Sequence, residues 1–312
     1  PPVAFDFLSL DTGSLPAKSG VTGAAHYALP AKPVDELLRR IPPLIDRIVE
    51  EHHRPFRVLV VGGGAGGVEL VLSLQHRALT ALKKQGQDGP KLEFHLLTDT
   101  GTILPTHNAR VQKIFTRILA ERGVRVHLNQ RVTEVTADHV ACESGVELPQ
   151  DAVIWVTTAS APSWIAESGL ATDEQGFVSV DASLQSTSHP FVFAAGDVAA
   201  VIPHPRPKSG VFAVRQGRPL ARNLRLALRG LPPAPFTPQK NFLGLISTGD
   251  RYAVASRGGW ALEGAWLWRL KQWIDLRWMR QYRELPAMDA PAPVQGADGL
   301  ADEAALRELR AH

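Results

Sequence analysis

Apolar residues along this chain repeat with two periods, and the place where one gives way to the other organises the rest. In Arg57-Val58-Leu59-Val60-Val61 a β-branched run of strand length stops at glycines, and the chain then continues at helical spacing. This predicts strand, tight turn and a helix over 68–84, followed by a strand over 91–97. Before it, alternation over 5–10 predicts a strand ending at Thr12-Gly13-Ser14, and the small, Gly-rich residues 15–30 read as loop. Leu37, Leu38, Ile41, Leu44, Ile45 and Ile48 give helical period over 34–51. Pro42-Pro43 interrupts it, so two short helices or one kinked one are expected.

Downstream, Val111, Ile114, Phe115, Ile118 and Leu119 define an amphipathic helix over 108–122 with Gly123 as its stop. Short strands are expected at 125–128, 132–135, 140–142 and 152–156, the middle ones as a β-meander. A buried-type strand over 190–195 ends in Gly196-Asp197, and a helix is expected over 209–228. The Pro-rich residues 231–240 read as linker, and 242–248 with 252–256 read as a hairpin around Gly249-Asp250. Leu262, Trp266, Leu270, Trp273 and Ile274 form a helical apolar stripe, with Leu267 and Trp278 on its edge. Such a stripe is core, a partner contact, or, with its arginines, a helix at a membrane surface. Residues 287–299 read as a second linker and 301–310 as a short charged helix.

The glycines Gly62, Gly64 and Gly67 form G-x-G-x-x-G, with Gly63 between. The first permits the turn, the second lets a pyrophosphate approach the backbone, and the third lets helix and strand pack closely. The helix N-terminus adds free N–H groups and partial positive charge. The pattern therefore predicts dinucleotide binding, against the alternative of a structural glycine turn. An acidic residue is expected at the end of the next strand to bond the ribose. Thr98-Asp99 stands there, farther from Gly67 than the usual roughly 20 residues because of a polar insertion. Asp99 is the candidate ribose ligand, with Thr98 as competitor, so NADH and NADPH both stay open. Thr157-Thr158 ends a strand at the edge where open α/β sheets bind ligands. Asp197, an acid after an apolar strand, belongs at a strand end, facing a ligand hydroxyl or forming an ordinary turn.

The 312 residues, 44% hydrophobic and 21% charged, suffice for two domains. The net charge of +3 is not gathered in a basic block, which argues against nucleic acid. The single cysteine, Cys142, leaves no internal disulfide, C-x-x-C pair or cysteine-based metal site. The sequence shows no transmembrane span or signal peptide, so the expected location is cytoplasmic, with a peripheral membrane contact as the alternative. A start inside a strand, without Met, suggests a piece of a longer protein.

The order Thr12-Gly13, Gly62 to Glu69, Thr157-Thr158 and Ala195-Gly196-Asp197 resembles the pyridine-nucleotide-dependent flavoprotein oxidoreductases. The resemblance implies an α/β fold in which a Rossmann-like NAD(P)-binding domain is inserted in an FAD-binding domain, incomplete here, with a small α+β C-terminal region. It implies domains at 1–54 and 161–230 for the FAD halves, 55–160 for NAD(P), 231–286 for the hairpin and Trp-rich helix, and 287–312 for a linker. Asp197 is then implied on the FAD ribityl chain. The helix start at Ser209, Gly210 and Val211 is implied at the flavin pyrimidine ring, the bland alternative being a capped surface helix.

Glu69, in V-G-G-G-x-G-G-V-E, is similar to the type II NADH dehydrogenases and is implied beside the nicotinamide–flavin contact. Its alternative reading is a first-turn glutamate favoured by the helix dipole. Residues 207–216, 246–250, 258–260 and 285–288 are similar to the oxidoreductase half of proteins fused to selenide, water dikinase, implying that domain as a partner in cis. Two departures matter. No glycine fingerprint precedes Thr12-Gly13, and Val211 and Arg215 stand where type II dehydrogenases place paired glutamines near quinone, leaving the small-molecule electron acceptor open. The expected activity is flavin-dependent NAD(P)H oxidation. A catalytically silent nucleotide-binding platform and a flavin-free dehydrogenase are the alternatives.

Overall fold

The computed structural model describes residues 2–16, 21–51, 53–86, 92–157, 159–240 and 242–285. The chain enters through β1 (Leu8–Leu10), β2 (Leu15–Pro16), a one-turn helix α1 (Ala24–Tyr27) and β3 (Ala28–Pro30). Residues 15–30 are therefore not simply loop. β3 is a sheet edge, too short and too small in side chain to announce itself by period, yet Ala28 and Leu29 pair in parallel with Val153 and Ile154.

Next comes α2 (Val34–Glu50), one helix and not two. Pro42 and Pro43 are both exposed, as are Leu38 and Arg39, whose carbonyls lose their helical donors to the prolines. Their exposure leaves those carbonyls open to solvent, while Leu37, Ile41, Leu44, Ile45 and Ile48 bury the opposite face.

Then follow β4 (Phe56–Val61), α3 (Ala65–Lys84), β5 (Leu92–Leu97), α4 (Ala109–Glu121) and β6 (Arg125–His127). A meander of β7 (Val132–Val135), β8 (His139–Cys142) and β9 (Glu147–Pro149) leads into β10 (Ala152–Trp155). Five parallel strands run in the order β3-β10-β4-β5-β6. β4 and β5 are central and covered on both sides, which is why their apolar runs are nearly continuous. On one face pack α2, α3 and α4; on the other lie the meander and α1. The N-terminus of α4 is fixed by Asn108, whose side chain accepts the Arg110 and Val111 N–H groups.

β11 (Ala159–Ser160) leaves this layer antiparallel to β2, so the strands that enter and exit it are zipped together. After α5 (Trp164–Glu167), β12 (Val178–Val180) and β13 (Val192–Ala194), a 3-10 turn spans Gly196–Val198, followed by β14 (Ala199–Val201) and α6 (Gly210–Ala227). β1 pairs in parallel with β13, and β12 with β14, around a separate core that includes Phe193, Val178 and Leu220. Residues 21–157 are thus an insertion into a second α/β layer whose strands come from both sides of it in sequence.

The expected hairpin has a third strand. β15 (Gly244–Ser247), β16 (Ala253–Arg257) and β17 (Trp260–Gly264) form an antiparallel sheet, and Ile246 and Val254 join the core of the inserted layer. Leu262 belongs to β17, and α7 (Ala265–Arg283) begins after it. In α7 the expected stripe is displaced: Trp266 is exposed and Leu267 is the buried residue. The described residues up to Lys271 form one compact unit and those from Gln272 to 285 another. In the second unit Arg277 lies over the Trp273 ring, and Trp278 packs against Tyr282. Among the described residues no helix is long and apolar enough to cross a membrane. The expected linker at 287–312 and Thr158 lie outside the described residues.

Candidate functional site

The strand β4 ends in a turn that only glycines can build. Gly62 has φ +128° and donates its N–H to Leu97 O. A Cβ on Gly62 would meet Val156 O at 2.2 Å, one on Gly63 would meet Thr98 Cβ at 2.6 Å, and one on Gly67 would meet Gly62 O at 1.8 Å. Gly64 differs. It caps α3, is exposed, and a Cβ there meets nothing within 4 Å. The first amides of the 20-residue α3 therefore open, beside Gly64, onto vacant surface, the arrangement that receives an anionic group.

Around this turn the sequence candidates separate. Thr98 is buried, its hydroxyl 2.7 Å from that of Thr100, and it packs under Gly63. Asp99 is the exposed residue at the β5 end, its carboxylate 4.0 Å from Arg131. The backbone of Thr157 lies beside Gly62.

Glu69 accepts the Ser247 N–H at 2.6 Å, joining α3 to the end of β15. Because α3 starts at Ala65, Glu69 sits one turn in, past the reach of the N-terminal dipole, and the first-turn reading is corrected.

The second group forms where β1 and β13 end side by side. Ala195 N–H donates to Leu10 O, and the chain then turns at Thr12-Gly13 on one strand and Gly196-Asp197 on the other. Gly13 and Gly196 both have positive φ. Ser14 Oγ donates to Asp197 Oδ2 at 3.2 Å, and Lys32 Nζ donates to the same oxygen at 3.0 Å. Oδ1 of Asp197 has no hydrogen-bond partner among the described residues. From the other side, Gln216 of α6 accepts the Gly196 N–H at 2.6 Å.

Gly196, Asp197, Ser209, Phe212, Ala213 and Gln216 line a cavity of about 720 Å3 together with Asp173 to Gln175 and Lys208. Ser209 Oγ, at the start of α6, is buried and has no hydrogen-bond partner among the described residues. Gly210 and Val211 share that helix start without lining the cavity.

Lys32 places the second group relative to the first. It follows β3, where Ala31 N–H donates to Trp155 O, while Val156 N–H donates to Val61 O. β3, β10 and β4 are therefore level at their C-terminal ends, and β3 lies two strands, about 10 Å, from the glycine turn. Asp197 is held at that same edge.

Sequence reasoning missed Ser14, Lys32, Lys208 and Gln216. Lys208 sits over the Phe177 ring at 3.9 Å and donates to Ala199 O. Burial pushes its ammonium below the usual lysine range, and the carboxylates of Asp173 and Asp197 partly offset this. Cys142 is buried in β8, and burial raises its thiol pKa, which suits a core residue. Among the described residues no cluster of His, Cys, Asp or Glu fits a metal.

The chain is similar to known proteins. A probable NADH dehydrogenase from Dictyostelium discoideum is 26% identical over 274 residues, covering 83% of this chain and 60% of the relative. A type II NADH:quinone oxidoreductase from Haemophilus influenzae is 29% identical over 159 residues, 50% of this chain and 35% of the relative. The chain thus spans only part of the length of these relatives. Among solved structures, the sulfide:quinone oxidoreductase from Aquifex aeolicus superposes with a TM-score of 0.73 at 18% identity, over 90% of this chain and 70% of that one. NDH2 from Plasmodium falciparum in complex with NADH gives 0.70 at 14% identity, over 90% and 78%. At such identities the superpositions establish the fold. A model of the pyridine nucleotide-disulphide oxidoreductases matches residues 3–217, and the chain belongs to that family.

Proposed function

We propose that this chain is the catalytic part of a flavin-dependent NAD(P)H oxidoreductase, similar to the NADH dehydrogenases, that passes electrons to a small-molecule acceptor. The carrying observation is that Asp197 is held by Lys32 at the same C-terminal sheet edge at which the Gly62–Gly67 turn opens. On this reading the inserted layer, expected at 55–160 but beginning by residue 21, binds NAD(P)H, the residues flanking it up to 230 contribute the FAD site, 231–286 is the C-terminal region and 287–312 a linker.

The residues fit both cofactors. The open approach at Gly64 suits the NAD(P)H pyrophosphate, with Gly62, Gly63 and Gly67 building the turn, Asp99 reaching the ribose and Thr157 flanking the cleft. Asp197 has one carboxylate oxygen anchored and the other available to a ribityl hydroxyl. The unpartnered Ser209 hydroxyl and the amides of the first turn of α6 suit the polar end of a flavin ring. Thr12 and Gly13 supply the facing turn. When bound, the flavin supplies the two-electron chemistry, and the protein aligns the rings and excludes water. Glu69 fixes the β15 sheet against α3 at the mouth of the nucleotide cleft.

The acceptor is best sought outside the quinones bound by paired glutamines, since Val211 and Arg215 occupy those positions. A selenide, water dikinase domain in cis is the partner supported by the resemblance of residues 207–216 and 246–260. The test is oxidation of NADH and NADPH by the FAD-loaded protein, with quinone, oxygen and selenium compounds offered in turn. Turnover with any acceptor supports the reading. Tight nucleotide binding with no flavin uptake overturns it and leaves a nucleotide-binding platform.

A further inference from the structure

Just before α4 the chain borders a small cavity of about 190 Å3. Thr106, His107 and Asn108 line it, together with Lys240, Phe242 and Ser256 from the C-terminal region. None of these belongs to the layer of β1, β12, β13, β14 and α6; the cavity lies where the inserted layer meets the three-stranded antiparallel sheet. Asn108 makes the joint, its side-chain N–H groups donating to Gly258 O at 2.8 Å and Trp260 O at 3.1 Å. Its oxygen already accepts the Arg110 and Val111 N–H groups, so the chemistry of the cavity rests on side chains and not on the start of the helix.

The imidazole of His107 is fixed from several directions. Its backbone N–H donates to Leu104 O, and its carbonyl accepts the Gln112 side-chain N–H. A Cβ on Gly244 would meet Cε1 at 3.2 Å, and the Phe242 ring stands edge-on at 6.5 Å. Nδ1 lies 3.0 Å from Ser256 Oγ, and Ser256 is buried with this as the partner of its hydroxyl among the described residues. A buried hydroxyl donates where it can, so Nδ1 accepts and the neutral ring carries its proton on Nε2. Burial keeps the ring neutral by holding its pKa below the ordinary histidine value.

The cavity thus offers donors. Nε2–H of His107 and the Thr106 hydroxyl have no hydrogen-bond partner among the described residues, and the exposed Lys240 makes no ion pair among them. No Asp or Glu lines the cavity. Around the imidazole, Thr106, Asn108, Phe242, Gly244 and Ser256 are uncharged, which leaves Lys240 as the formal charge among the lining residues.

We propose that this cavity binds a small oxyanion, of sulfate or phosphate size, held by Lys240 Nζ, His107 Nε2–H and the Thr106 hydroxyl. Volume selects this class, since pockets for drug-sized molecules begin at roughly 300 Å3. Binding draws a proton onto His107. Nδ1–H then donates to Ser256 Oγ, a hydroxyl being able to serve either way, and affinity rises as pH falls. Phe242 also packs on Phe212 at 5.4 Å, and Phe212 lines the larger cavity, so the two cavities border one pair of rings. The assignment stands whether or not the chain proves to be an oxidoreductase.

The test titrates the full chain, with carbon-labelled histidines, by NMR. Sulfate is the probe because its charge is constant between about pH 6 and about pH 8, and sodium chloride holds the ionic strength. The resonance lost in His107→Gln identifies the ring. Saturable movement of that resonance, an upward shift of its titration midpoint, and affinity at least about fivefold tighter at the lower pH are expected. Lys240→Met should weaken sulfate about fivefold, and Ser256→Ala should weaken it too by freeing the ring. Lys240 is exposed, so its variant carries the comparison if Ser256→Ala fails to fold. Phosphate and ribose 5-phosphate separate the sources: tighter phosphate assigns the free ion, equal affinity assigns the head of a larger ligand, and either supports the site. Movement that does not saturate, equal movement with chloride alone, or sulfate affinity unchanged in Lys240→Met overturns the proposal.

Discussion

Lys32 Nζ stands 3.0 Å from Asp197 Oδ2, joining the segment after β3 to a turn 165 residues away in sequence. Lys32 belongs to the inserted layer and Asp197 to the layer that receives it, so this contact and the β2–β11 pairing tie the two layers together. It also anchors the carboxylate through Oδ2, leaving Oδ1 without a hydrogen-bond partner among the described residues.

Loss of that anchor should weaken flavin binding. The lysine side chain is 45% exposed, which discounts the ion pair to about 1 kcal/mol, or roughly fivefold in affinity. Lys32→Met should therefore raise the FAD dissociation constant about fivefold in equilibrium dialysis, and Asp197→Ala should raise it further. An unchanged constant in Lys32→Met would show that Ser14 alone positions the carboxylate.

Two glycines of one motif should fail in opposite ways. Alanine at Gly67 puts a methyl 1.8 Å from Gly62 O, a backbone atom that cannot step aside, so Gly67→Ala should lose about 3 kcal/mol or more of stability. Alanine at Gly64 meets no atom within 4 Å and should stay within about 0.5 kcal/mol of the parent. On the proposed reading its methyl would stand where the pyrophosphate approaches, so NADH affinity should drop by about tenfold. Thermal unfolding and nucleotide titration separate the two effects. Equal melting of both variants would refute the steric argument.

The strand–turn–helix over β4 and α3 was readable because its signal is local: apolar run, glycines, helical period. α4 was readable for the same reason, though its Asn108 cap was not. What escaped the sequence depends on distant partners. β3 is three residues long and becomes a strand only by pairing with β10. β17 follows Gly258-Gly259 and reads as the start of the tryptophan helix until β16 pairs with it. Lys32 and Gln216 carry no motif, since each acquires its role from a turn formed elsewhere in the chain. The prolines of α2 left one helix or two open, because a pattern records the lost donors and not that both face water.

Asp99 should set the nucleotide preference. Its exposed carboxylate at the end of β5 suits a ribose hydroxyl and repels a 2′-phosphate, whereas Arg131, 4.0 Å away, would favour the phosphate once the carboxylate is gone. The parent should bind NADH more tightly than NADPH, and Asp99→Asn should narrow that ratio by about tenfold. A further Arg131→Ala should restore part of it by weakening NADPH. A ratio unmoved by Asp99→Asn would assign the ribose to another residue.

Acid should loosen the inserted layer through a histidine pair. His95 Nδ1 and His127 Nε2 lie 2.9 Å apart with the rings stacked, and His95 Nε2 is 3.7 Å from Glu93, beyond hydrogen-bond reach. Burial holds both imidazoles below their ordinary value; for His95 the neighbouring imidazole and Arg125 add to this, and for His127 Arg125 does. Burial does the same to His107. A histidine whose pKa is depressed by folding takes its proton first in the unfolded chain. Stability is thus complete above the ordinary histidine value near 6.5 and is lost as pH falls from there through the folded values. Each histidine contributes a slope of at most about 1.4 kcal/mol per pH unit. Urea unfolding at neutral pH and in steps down toward pH 5 should show this decline. His127→Gln should make it shallower, because it removes one titrating ring and the neighbour that most resists a proton on His95. A slope identical to that of the parent would place the acid sensitivity elsewhere.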